Sequence, residues 1–342
     1  MAGALAYRDH APIVAAERSP LNLHRRIAGL LAAALALAAP LAGAQSFPNR
    51  PLKLMVGYSA GGGVDAMARM LAQRLPAVLG QQVVVENRAG ASGMIAAEAV
   101  ARAPADGYTL LLGETGMLIT SQLQPRAGVD PLKSFAPVAG TFVMPLMIVA
   151  NNELPAKNPQ QLVALLKSSP GKYSYATSGV GTVHHLGFEM MKGQTQAFLV
   201  HIPYRGAAQI LPDVISGQVP LGVVSAAAGL AQARAGKVTP IALMNAGRLA
   251  GAEQVPALAD TLPGFDVAPR LMLLAPAGTP QSVVDRLDEA VRTVLASAEV
   301  AQSAAQQGAI PAYVPAGSLA KLLEQEAADW AGVIKARRIG TD

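Results

Sequence analysis

The stretch RPLKLMVGYSAGGGVDAMARMLAQRLPAVLGQQVVVEN, residues 50–87, decides the fold class. Residues 52–58 form a short apolar run that stops at a glycine-rich loop, which reads as a strand. Val64, Met67, Ala68, Leu71, Leu75 and Val78 then recur at three- and four-residue spacings, the pattern of an amphipathic helix. Gly80 ends that helix, and Pro76 kinks its last turn. Residues 83–86 are β-branched and extended. Ser92 is expected to cap a second helix reaching about 103, closed by a turn at Ala105-Asp106-Gly107. Residues 109–113 make a third strand. This strand-helix alternation predicts a parallel sheet with right-handed crossovers.

The same alternation continues toward the C-terminus. Strands are expected at 145–150, 173–177, 198–203, 219–224, 241–244 and 270–275. Helices are expected at 160–167, 183–192 and 207–216, and two long alanine-rich ones at 281–298 and 317–336. The class is α/β. A chain of 342 residues is long enough to bury a full core, as one large domain or two moderate ones. It has no cysteine, which excludes a disulfide scaffold, thiolate metal sites, iron–sulfur clusters and a cysteine nucleophile. The formal charge of +5 is spread along the chain without basic clusters, and aromatics are only 4%, which argues against nucleic acid as a partner.

At the N-terminus Arg25-Arg26 precede an apolar run at 27–42 that ends in Ala42-Gly43-Ala44. A basic segment, a short apolar core and small residues at the end describe a secretory signal peptide over residues 1–44. The run is short of the roughly 20 residues a spanning helix needs, which sets aside the alternative of an uncleaved anchor. The expected product is a soluble, exported protein, most simply periplasmic.

The chemistry is concentrated in two loops. Residues 58–65 and 178–182 are each glycine-rich, and each lies between an expected strand and an expected helix. In open α/β sheets ligands sit beyond the carboxyl ends of strands. Glycines there allow backbone N–H groups close to a ligand, and a helix N-terminus adds positive potential. Two such loops facing one cleft suit a carboxylate. Asp65 has a second reading, since a carboxylate in a first helical turn is stabilised by the helix dipole without any ligand. His185 and Glu189 have the i, i+4 spacing of a metal pair, but no third ligand follows at a usable spacing, so no metal and no cofactor is expected. The alternative function is a serine esterase, because Gly57-Tyr58-Ser59-Ala60-Gly61 fits G-x-S-x-G between a strand and a helix. Ser59 comes too early for the strands that precede such a nucleophile, and the last histidine is His201, too early to complete the usual order. A dinucleotide enzyme lacks its G-x-G-x-x-G.

Seven stretches in order carry a resemblance: 50–75, GQQVVVENRAGASG (80–93), ADGYTLLLG (105–113), SYATSGVGTVHHLGFEMM (174–191), HIPYRGAAQILPDVISGQV (201–219), LPGFD (262–266) and LLAPAGTPQSVVDRL (273–287). The chain resembles the Bug receptors, the extracytoplasmic substrate-binding proteins of tripartite tricarboxylate transporters. The resemblance implies a two-domain periplasmic-binding-protein fold, type II-like, a flytrap with its ligand in the interdomain cleft. The expected division is domain 1 over 45–147 and 272–342, and domain 2 over 148–271, with the chain crossing the hinge near 145–148 and 270–273. It also implies that the two loops grip one carboxylate of the ligand. On this sequence that assigns Tyr58, Ser59, Gly61, Gly62 and Asp65 in the first loop. In the second it assigns Ser178, Gly179, Gly181 and Thr182, with His185 near the cleft. Tyr204, Arg205, Gly206 and Ala207 are expected to line the cleft from the second domain; Arg205 either meets the ligand or turns to solvent. The implied partners are a small carboxylate and either transporter membrane subunits or a sensor kinase, with the receptor a monomer.

Four positions depart from the family pattern and bear on the substrate. Gly57 stands where proline is usual, and Arg270 where tryptophan is frequent. The stretch LGVVSA (221–226) lacks an acidic or amide residue near Ser225. Glu114, followed by Thr115, occupies a position that mostly carries small or hydroxylated residues. A glutamate facing the cleft is expected to disfavour a second carboxylate and favour an N–H or hydroxyl donor; the alternative is that it faces solvent. Gly62→Val is expected to abolish binding by blocking backbone approach.

Overall fold

The computed structural model of the chain describes residues 47–124, 129–204 and 206–340. The expected leader, 1–44, and Arg205 lie outside these residues. In chain order the strands are β1 (Leu52–Val56), β2 (Val83–Asn87), β3 (Thr109–Glu114), β4 (Phe135–Val143), β5 (Leu146–Ala150) and β6 (Ser174–Thr177). They continue with β7 (Val200–Pro203), β8 (Leu221–Ser225), β9 (Thr239–Leu243), β10 (Arg270–Pro276) and β11 (Ile310–Pro315). They form two sheets, one ordered β11-β4-β10-β3-β1-β2 and the other β7-β6-β8-β5-β9. Each sheet with its helices is one lobe of a two-domain flytrap.

Period-two alternation sends successive strand residues into different cores. Leu52, Leu54 and Val56 of β1 join Leu110 and Leu112 of β3 against Met67 and Leu71 of helix Gly63–Arg74. Met55 and Leu111 point the other way, against Met94 and Val100 of helix Met94–Ala101. In the second lobe β5 is buried at every position: Leu146 and Ile148 pack on one face, Met147 and Val149 on the other. Burial on both faces explains why these strands read as continuous apolar runs.

The expectation of a parallel sheet is corrected. Only β2-β1-β3 in the first sheet and β6 with β7 and β8 in the second pair in parallel. Strand β10 runs antiparallel to both β3 and β4, and β11 antiparallel to β4. Strand β5 runs antiparallel to β8 and β9. The chain leaves the first sheet between Val143 and Leu146 and returns between Leu243 and Arg270. Strand β10 therefore arrives from the far lobe, and its direction is set by that entry, not by a crossover helix. Sequence reading missed β4 and β11. Pro137 and Gly140 lower the apparent strand propensity of β4, but Pro137 lies at a register irregularity, where a missing N–H is tolerated.

Two local features also differ. Ser92 does not cap a helix: it has φ 51°, Gly90, Ala91 and Gly93 also have positive φ, and the helix begins at Met94. This wound loop brings Gly93 against Gly57, where an added Cβ would lie 2.3 Å from the Gly93 Cα. That collision explains why glycine stands at 57, and it is a matter of packing and not of substrate. Helix Ala316–Arg337 starts against the first lobe through Leu319 and Leu323 and ends with Trp330 in the second-lobe core. The helix as a whole thus bridges both lobes.

Candidate functional site

A cavity of about 590 Å³ opens between the lobes. Its wall is made at the starts of four helices. Gly63 and Val64 begin helix Gly63–Arg74, and Gly116 begins helix Gly116–Leu123. Thr182 caps helix Val183–Thr195, which contributes Val183 and His184. Ser225 caps helix Ala226–Arg234, which contributes Ala227 and Ala228. The first N–H groups of a helix have no intrahelical acceptor, and the dipole adds positive potential there. Met144, Leu146, Leu211, Val224 and Pro269 supply apolar wall. Among the described residues, neither lysine nor arginine lines the cavity.

The first loop is held from behind. Asp65 is buried and accepts from Gly61 N–H (2.8 Å), Asn87 Nδ2 (2.9 Å) and Arg69 Nε (2.8 Å). The Arg69 bond is the main reason its pKa falls to about 2. Asp65 therefore shapes the loop and does not face the cavity. Tyr58 does line it, whereas Ser59, Gly61 and Gly62 are exposed and lie off its wall. Gly63, the next residue, is the glycine at the wall.

The second loop is built on Thr182, whose Oγ1 donates to the Gly179 carbonyl (2.8 Å) and accepts the His185 N–H (3.3 Å). Gly179 and Gly181 have φ of 136° and 75°, backbone that side chains disfavour. Ser178 and Thr182 line the cavity; Gly179 and Gly181 carry the turn behind them. Ser178 Oγ lies 3.0 Å from His184 Nδ1, and His184 faces the cavity in place of His185. One residue along a helix turns a side chain by about 100°, which a motif match does not resolve. His185 instead stacks on His201 at 4.0 Å and accepts from Gly181 N–H. Burial lowers the pKa of His184 to about 4, leaving it neutral near pH 7.

Of the remaining expected residues, Ala207 lines the cavity, while Gly206 ties back to the Ser178 carbonyl (3.2 Å). The Tyr204 hydroxyl donates to Asp213, and burial raises its pKa to about 12. Thr115, buried, exchanges hydrogen bonds with the Arg270 backbone, so it joins β3 to β10 and stays off the wall. Glu114 faces the cavity and is only 8% exposed. Its Oε2 accepts from the Tyr58 hydroxyl, and its Oε1 has no hydrogen-bond partner. Arg270, the tryptophan replacement, pairs with Glu326 and Asp266 behind the hinge.

Sequence reading missed Ser92, Met144, His184, Ser225 and Pro269 on the wall. Ser225 was discoverable, because it too stands between a strand and a helix and accepts from Ala228 N–H. Ser59, the esterase candidate, is exposed, and the serine that meets a histidine is Ser178. Among the described residues no cluster of three His, Asp or Glu side chains could hold a metal, and no helix is long and apolar enough to cross a membrane.

The model of the tripartite tricarboxylate transporter family receptor matches residues 67–339. Protein BugT of Bordetella pertussis is 32% identical over 320 residues, covering 92% of this chain and 98% of that one. The structure of Rpa4515 from R. palustris with adipate superposes with a TM-score of 0.75 at 32% identity, covering 86% of this chain and 99% of that one. MatC from Rhodopseudomonas palustris with bound malate has a TM-score of 0.69 at 29% identity, covering 84% and 100%.

Proposed function

This chain belongs to the tripartite tricarboxylate transporter receptor family, and from that premise we propose that it captures one small organic, amino or aromatic acid between its lobes and hands it to transporter membrane subunits or a sensor. The observation that carries this reading is the convergence of four helix N-termini on a cavity with no cationic side chain among its described wall residues. Such a wall attracts an anion through partial charges already fixed in the backbone, so little reorganisation accompanies binding. Relatives solved with adipate and with malate support an acid of this size. The ligand touches both lobes, so binding favours the closed arrangement over the open one.

Thermal denaturation against a panel of small acids tests the reading. An acid at 100 times its dissociation constant is expected to stabilise the protein by about 2.7 kcal/mol, and the matching amide by far less. Equal shifts from acids and amides would sink the carboxylate assignment. We further propose export with cleavage after Ala44. N-terminal sequencing of protein from the cell envelope is expected to begin at Gln45; a start within the apolar run would refute the site.

A further inference from the structure

The cavity wall contains one feature that a pure anion trap does not need. Glu114 ends β3 with its carboxylate buried at the wall, and Oε1 is an acceptor without a donor. Buried polar atoms in folded proteins are nearly always paired, so an orphan on a cavity-lining side chain points to the cavity's occupant as its partner once the carboxylate turns toward it. Among the described wall residues no cation offsets Glu114. The other ionisable groups there are the Tyr58 hydroxyl, which donates to Oε2, and the neutral His184. Behind it lies Glu326 of the last helix, itself engaged by Arg270 and Thr115.

Resting on the carboxylate-receptor reading above, we propose that Glu114, steadied by Tyr58, is a protonation-dependent selector for the ligand's far end. Ionised, it accepts from an ammonium, ring N–H or hydroxyl; protonated, it donates to a second carboxylate. The first carboxylate stays at the helix N-termini in both cases. Burial raises the Glu114 pKa to about 7, against the opposing pull of the Tyr58 hydroxyl and the Gly116 N–H, and Glu326 adds to the rise. Both protonation states are therefore populated near neutrality. In that range a plain dicarboxylate takes up protons from buffer as Glu114 becomes protonated, and an ammonium acid releases them as it ionises.

The test is calorimetric binding with two matched series of three to eight carbons, α,ω-dicarboxylates and ω-amino acids, at pH 6 and pH 8.5. Across that window the ω-amino acids keep their charges and the dicarboxylates are predominantly dianions, while Glu114 changes its own. The preference for amino acids over dicarboxylates is expected to rise at least about tenfold from pH 6 to pH 8.5. In Glu114→Gln the pH dependence is expected to vanish, with no proton uptake or release between buffers of different ionisation enthalpy. Tyr58→Phe removes the donor that favours ionised Glu114, so the crossover moves to higher pH. If acids bind but their ratio ignores pH, or Glu114→Gln behaves as wild type, the selector is overturned and the receptor reading stands. If no member of either series binds, the selector falls, and the receptor reading is decided by the wider acid panel.

Discussion

Replacing Glu189 with alanine is expected to cost about 3–5 kcal/mol of folding stability. Glu189 sits on helix Val183–Thr195 with its side chain 8% exposed. It accepts from Lys192, from the Tyr175 hydroxyl (2.8 Å) and from Arg337 Nε of the last helix (2.8 Å). Burial pushes its carboxyl up, but those three donors outweigh burial and hold the pKa below its ordinary value. A depressed carboxylate contributes stability above its unfolded pKa and loses it as pH falls through the folded one, so this contribution is intact at pH 7 and fades in acid. Alanine would leave Lys192 charged, 7% exposed and unpaired, and would deprive the buried Tyr175 hydroxyl of its acceptor. Urea denaturation measures the loss. The triple replacement Glu189→Leu, Lys192→Met and Tyr175→Phe, which removes the buried pair and the hydroxyl it would leave without an acceptor, is expected to recover most of it, because desolvated polar groups exchange for apolar ones at small net cost. A single variant within about 1 kcal/mol of wild type would show the charges to be hydrated after all.

Gly63→Val is expected to weaken binding of any small acid by at least about tenfold without harming the fold. Gly63 is the first residue of its helix and is not among the glycines with positive φ, so backbone strain does not oppose the change. An added Cβ at 63 would lie 2.4 Å from the Met144 Cε, and Met144 is itself cavity wall. The methionine end is flexible, so it moves, and the free space it moves into is the cavity. Gly62, the position favoured on sequence grounds, is exposed, and its Cβ would meet only the Ser59 carbonyl, at 3.3 Å. Gly62→Val is thus expected to bind far better than Gly63→Val. Wild-type affinity in Gly63→Val, measured by calorimetry, would remove the first helix start from the site.

Within the two glycine-rich loops the residues that line the cavity were legible to within one residue, and that limit has a physical cause. Glycine-rich loops between strands and helices announced both halves of the cleft, because close backbone approach requires glycine wherever it occurs. Which glycine and which histidine face inward depends on where the helix starts, and side chains turn about 100° per residue. Gly63 replaced Gly62 and His184 replaced His185 at the wall for that reason. Asp65 carried two readings, and its three donors within 3 Å decide for the structural one.

By itself the sequence determined the α/β class, the order of most elements and the two loops, since each follows from local periodicity and turn chemistry. Only the tertiary structure decided the strand directions at the hinge, where β10 enters from the other lobe and its pairing depends on chain path and not on its own residues. Packing alone required glycine at 57, through a contact with Gly93 thirty-odd residues away that no local pattern encodes. The same holds for Glu114: its residue type was plain, but its burial, its Tyr58 partner and its unpaired oxygen arise from groups distant in sequence that meet only when β1 and β3 pair.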